Sequence, residues 1–91
     1  MLPVHIFGYP ADLPAFERWG LPIVEDACEA LGARHADGAA VGGRGHPAVF
    51  GFYANKQLTT GEGGMVTMRS LTCASPVVTI PPSPVVSCLL A

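Results

Sequence analysis

The apolar positions of this chain fall in short runs closed by glycine and proline. Val4-His5-Ile6-Phe7 is the first, ended by Gly8 and Pro10, as in a buried strand leaving into a turn. Asp12 follows as a helix cap. Leu13, Phe16 and Trp19 then recur at helical spacing, Pro14 suits the first turn, and Gly20 stops the segment. Pro22-Ile23-Val24-Glu25 reads as a second buried strand. The order strand, helix, strand favours a parallel pair with a right-handed crossover, so the predicted fold class is α/β.

Beyond it, Ala27 to Leu31 predicts one or two helical turns ended by Gly32. Ala33-Arg34-His35-Ala36 alternates before Asp37-Gly38, a hairpin-turn dipeptide, and the hairpin is expected to close near Val41. Val49 to Tyr53 predicts a further strand with Lys56 in the loop after it. Gly61-Glu62-Gly63-Gly64 then leads into a strand over Met65 to Met68.

After Met68 the pattern is lost. Residues 69–91 carry Pro76, Pro81, Pro82 and Pro84, two Val-Val pairs and no charge beyond Arg69. That is too apolar for a solvated linker and too proline-rich for a core element. The expected division is a folded part, 1–68, and an irregular apolar tail, 69–91, that does not belong to the same fold. A shifted reading frame or a chance extension would produce such a tail.

Composition narrows the function. Ninety-one residues make one domain at most, short for a complete cofactor enzyme. A hydrophobic share of 49% with only 13% charged residues and a mean hydropathy of +0.39 suit a chain meant to be covered by something else. The net charge of −2 offers no basic patch for nucleic acid. Cys28, Cys73 and Cys88 form no zinc or disulfide spacing, which fits a reducing cytoplasm. No basic and apolar leader opens the chain, so export is not expected. Cys88-Leu89-Leu90-Ala91 matches the prenylation pattern only formally, and the tail is too short and proline-broken to span a membrane. His5, His35 and His46 are scattered without metal-ligand spacing, so no metal is expected and a structural or surface role is favoured.

Two groups stand out by position. Asp26 directly follows one predicted strand and Lys56 lies just beyond another, and open α/β sheets bind ligands beyond the carboxyl ends of their strands. A lysine that forms an imine needs a neutral amine. An aspartate against the ring nitrogen of pyridoxal phosphate keeps that nitrogen protonated, so the ring can take up the electrons of a broken Cα–H bond. By spacing alone a solvated loop lysine, and a Glu25-Asp26 pair capping the turns from Ala27, explain the same residues.

The residue order adds to this. Glu25-Asp26-Ala27-Cys28-Glu29-Ala30-Leu31-Gly32-Ala33 and the run from Phe50 to Gly64, FGFYANKQLTTGEGG, resemble two adjacent signature blocks of the DegT/DnrJ/EryC1/StrS aminotransferases. Pro3 to Asp12 looks like the block before them. The resemblance implies a partial large domain of the aspartate-aminotransferase type (fold type I), with a mostly parallel sheet and pyridoxal 5'-phosphate as cofactor. It implies a nucleotide-linked keto-sugar as acceptor and glutamate or glutamine as amino donor, in polysaccharide or antibiotic sugar biosynthesis.

By the same resemblance Lys56 matches the Schiff-base lysine, which also moves the proton between Cα and C4′, and Asp26 matches the aspartate at the pyridine nitrogen. Glu29 stands where many members carry Gln or His against the ring. Gly51 stands where a serine often binds the phosphate, leaving only a backbone N–H. Asn55 orients the lysine, touches the phosphate, or is simply an exposed loop residue. The presence of Lys56 separates the chain from dehydratase-like relatives in which histidine replaces it. Members are several times longer and work as homodimers with the active site at the subunit interface, so the isolated chain is expected to be inactive alone. The alternative is a non-catalytic α/β remnant that associates through exposed apolar surface.

Overall fold

The structure, a computed structural model, describes residues 1–68. The tail expected over 69–91, with Cys73 and Cys88, lies outside the described residues. The elements in order are helix α1 (Leu13–Glu17) and strands β1 (Glu25–Asp26), β2 (Ala48–Gly51) and β3 (Gly64–Thr67). They form a three-stranded sheet in the order β1-β2-β3. β1 runs parallel to β2, with Glu25 opposite Ala48. β3 returns antiparallel to β2, with Phe50 opposite Met65. The α/β class holds, but the described sheet is mixed rather than mostly parallel, because β3 follows β2 through a local loop and needs no crossover.

The first predicted strand is present only as a parallel bridge of Val4 to Asp26. The His5 N–H donates to the Asp26 carbonyl and the Asp26 N–H to the Pro3 carbonyl, both at 2.9 Å, so the segment aligns along β1. It then leaves at once, because Phe7 (φ 50°) and Gly8 (φ 82°) turn left-handed and Tyr9 pairs back on Ile6. The second strand begins at Glu25 instead of Pro22, since proline has no N–H to give to a ladder.

Helix α1 is five residues long, shorter than the predicted span to Gly20. Asp12 occupies the N-cap position, but its side chain makes no capping bond. Leu13 is buried while Trp19 is exposed, with the Arg18 guanidinium 5.4 Å above its ring. The turns expected over Ala27 to Leu31 do not become a helix. They are two successive i to i+3 bonds, Ala30 to Ala27 and Ala33 to Ala30, ended by Gly32 at φ 80°. The hairpin forms as expected: Arg34 pairs with Ala40 and the Val41 N–H closes it on the Ala33 carbonyl at 3.0 Å.

Ala27, Ala30, Val41, Ala48 and Phe50 make the core cluster, with Ala33, Phe52 and Met65 against it. Burying a phenylalanine such as Phe50 contributes roughly 1.5–3 kcal/mol. Its ring lies against Gly42, where a Cβ would stand 2.9 Å from Phe50 Cζ, and the backbone there is at φ +75°. Only glycine meets both conditions.

Around β1 the period of two divides the side chains. His5, Ile23, Glu25 and Ala27 point inward, while Val4, Ile6 and Val24 stay exposed. The inward histidine and glutamate meet one another: His5 Nε2 and Glu25 Oε2 are 3.0 Å apart, both residues fully buried, while Glu25 Oε1 is buried without a partner. The Ala11 N–H donates to His5 Nδ1 at 2.9 Å, so the ring proton sits on Nε2 and goes to Glu25. The same Glu25 oxygen accepts the Gly42 N–H at 3.0 Å.

Candidate active site

Asp26 is the last residue of β1, and Lys56 follows the end of β2 by five residues. Because the two strands are parallel, both residues emerge at the same edge, beyond the carboxyl ends. The Ala27 N–H continues the ladder to the Val49 carbonyl at 2.8 Å, which carries the turn after Asp26 over β2. The Asp26 carboxylate then turns back on its own chain, Oδ1 accepting the Cys28 N–H at 3.1 Å. The capping role weighed for Asp26 is thus carried by that one oxygen.

Cys28 lies between the two groups. Burial pushes its thiol above the usual range, the hydrogen bond and charge of Asp26 push the same way, and the charge of Lys56 opposes them. Gly51 is the floor of this arrangement: a Cβ there would stand 3.3 Å from Cys28 Sγ and 3.9 Å from Lys56 Cε. Asp26, Cys28, Gly51 and Lys56 therefore share one neighbourhood.

Glu29 completes it. Lys56 Nζ is 3.4 Å from Glu29 Oε1, with the lysine largely and the glutamate partly covered. Glu29 Oε2 is buried without a partner. Its backbone carbonyl accepts both the Gly8 N–H at 2.8 Å and the Gln57 Nε2 donor at 2.7 Å. The Lys56 loop is held by its own turn, Lys56 N–H to the Tyr53 carbonyl at 3.0 Å, and by Thr59 Oγ1 on the Phe52 carbonyl at 3.1 Å. Asn55 is exposed, and no hydrogen bond among the described residues ties it to the other four.

Sequence reasoning missed two features. The Lys56–Glu29 pair and the Gln57 anchor join residues 27 and 28 positions apart, and no local period signals such pairs. His5 and Glu25 were legible in principle, since each occupies an inward position of an alternating segment, where an unpaired polar group would be costly.

A pocket of about 450 Å³ lies elsewhere, lined by Pro10, Asp12, Arg34, His35, Asp37 and Arg44 among others. None of the five candidate residues lines it. Arg44 there bridges Asp37 and Glu17, and His46 Nε2 lies 3.0 Å from Glu17. Among the described residues no helix is long and apolar enough to cross a membrane.

The family model for the DegT/DnrJ/EryC1/StrS aminotransferases matches residues 1–80, running past Met68 into residues outside the described ones. The erythromycin biosynthesis sensory transduction protein EryC1 of Saccharopolyspora erythraea is 48% identical over 71 residues. That alignment covers 72% of this chain and 19% of the relative's length.

Proposed function

This chain belongs to the DegT/DnrJ/EryC1/StrS aminotransferase family, and we propose from that membership that it carries the cofactor-lysine segment of a sugar aminotransferase. The acceptor in this reading is a nucleotide-linked keto-sugar, the donor is glutamate or glutamine, and the working unit is a homodimer in the cytoplasm. The similar protein's name refers to erythromycin biosynthesis, which favours antibiotic sugar biosynthesis as the setting. The observation that carries the reading is the emergence of Asp26 and Lys56 at one edge of a parallel strand pair, with Cys28 and Gly51 between them.

The residues fit pyridoxal phosphate. Lys56 is an amine on an anchored loop and Asp26 is a carboxylate with one oxygen committed to Cys28. The cofactor, when bound, supplies an electron sink for the charge left on the substrate Cα. Asp26 would accept the pyridine N–H and keep that nitrogen's proton in place. Lys56 would hold the cofactor through its amine and would carry the proton that moves at the substrate Cα. Gly51 offers a backbone N–H to the phosphate, Asn55 a side-chain amide to the phosphate or the lysine, and Glu29 a carboxylate at the ring.

The test is to incubate the purified chain with pyridoxal phosphate, reduce with borohydride and locate the added mass. A visible absorption band and a mass on Lys56, both lost in Lys56→Ala, are expected. No adduct, or an equal one in Lys56→Ala, would sink the reading. One observation favours a second reading, a non-catalytic fragment that associates: Val4, Ile6 and Val24 are exposed on one face, and Phe7 and Tyr9 beside them are about four-fifths exposed. Concentration-dependent sedimentation without a lysine adduct would decide for it.

A further inference from the structure

We infer that Glu29 is the proton-transfer partner of Lys56, taking the proton of its ammonium group when the lysine bonds an aldehyde and returning it to the departing oxygen. The inference rests on the cofactor reading above and adds a role that ring contact does not require. Three observations carry it. Glu29 Oε1 is 3.4 Å from the amine that must lose a proton before it can attack. Glu29 Oε2 is buried and unpartnered, so this carboxylate keeps an acceptor oxygen that no neighbouring donor occupies. The Glu29 backbone is tied to Gly8 on one side and to Gln57 on the other, and Gln57 adjoins Lys56, so carboxylate and amine are held in one frame.

The other groups nearby are engaged otherwise. Asp26 turns one oxygen onto Cys28 and serves the ring nitrogen. The Cys28 thiol is held in its protonated form by burial first and by Asp26 second, which makes it a poor base.

The step balances without a further reagent. The ammonium passes one proton to Glu29, and the neutral amine forms an N–C bond to the aldehyde carbon of pyridoxal phosphate. A second nitrogen proton shifts to the former carbonyl oxygen. Glu29 then returns its proton to that oxygen, the C–O bond breaks, water leaves, and a protonated imine remains beside a carboxylate. No oxidant or reductant enters.

The experiment follows the visible band after mixing the full chain with pyridoxal phosphate, in wild type, Glu29→Gln, Glu29→Ala and Lys56→Ala. The Gln57 and Gly8 bonds go to the Glu29 backbone, so Glu29→Gln keeps the fold-determining ties, which amide hydrogen exchange checks. Band growth in Glu29→Gln is expected to slow by about 100-fold, the lower range for positioned acid–base groups, without loss of final extent. Added acetate is expected to restore the rate of Glu29→Ala and to leave wild type unchanged, a response that a structural role would not give. Growth in Glu29→Gln at the wild-type rate or faster, or no rescue by acetate, would overturn the inference while leaving Lys56 as the attachment point. No Lys56 adduct in wild type would overturn the cofactor reading and this one together.

Discussion

Replacing Glu25 by alanine is expected to remove most of the stability of the described region. Glu25 Oε2 accepts from His5 Nε2 in a fully buried contact and from the Gly42 N–H in a part-buried one, each at 3.0 Å. Alanine leaves the buried His5 donor and the part-buried Gly42 donor without an acceptor, at about 1–3 kcal/mol each. A region of 68 residues has a stability of about 3–10 kcal/mol at ordinary values per residue, so the loss is comparable with the whole. Glu25→Gln keeps one carbonyl acceptor and is expected to cost roughly 1–2 kcal/mol, the scale of a single hydrogen bond. Urea titration followed by backbone amide resonances reads both variants, since Trp19 is too exposed to report on the core. In Glu25→Gln the amides of His5 and Asp26, which pair the first segment with β1, should exchange faster than those of β3. A Glu25→Ala protein as stable as Glu25→Gln would refute the claim that this carboxylate holds the β1 edge.

Gly51→Ser is expected to tighten pyridoxal phosphate about tenfold, the scale of one hydrogen bond to a charged group, once the Cys28 side chain yields slightly to the new Cβ, whose nearest contact is Cys28 Sγ at 3.3 Å. Equilibrium titration of the band checks it, and weaker binding would contradict the assigned floor. The Glu17, Asp37 and Arg44 cluster is expected to make the fold acid-sensitive. Glu17 is held below its ordinary 4.5 chiefly by the His46 hydrogen bond and also by Arg44. Asp37 is held below 3.8 chiefly by the Ala39 N–H and also by Arg44. Both folded values lie under the unfolded ones, so the contribution is complete above those ordinary values and is lost as pH falls through the depressed ones. The urea midpoint should therefore drop below pH 4.5, and the drop should shrink in Arg44→Met; identical pH profiles would count against the cluster.

Features that depend on near neighbours can be read along the chain. Turn glycines, the hairpin over Ala33 to Val41 and the apolar runs behind β2 and β3 are legible because their physics spans a few residues. The order of the blocks around Asp26 and Lys56 likewise carries the family, since those motifs are linear. Element ends were less legible: Pro22 delays β1 and Gly32 cuts short the turns after Asp26, where competing local preferences meet. Which distant groups meet follows instead from how the strands pack. Glu29 reaches Lys56, and Gln57 reaches the Glu29 carbonyl, because β1 and β2 lie parallel and deliver their following loops to one edge. His5 finds Glu25 because the first segment aligns along β1. Such pairings depend on strand order and register, which a one-dimensional pattern does not encode. The reading of Lys56 is sharpened by them: its amine is set against a carboxylate whose second oxygen is buried without a partner.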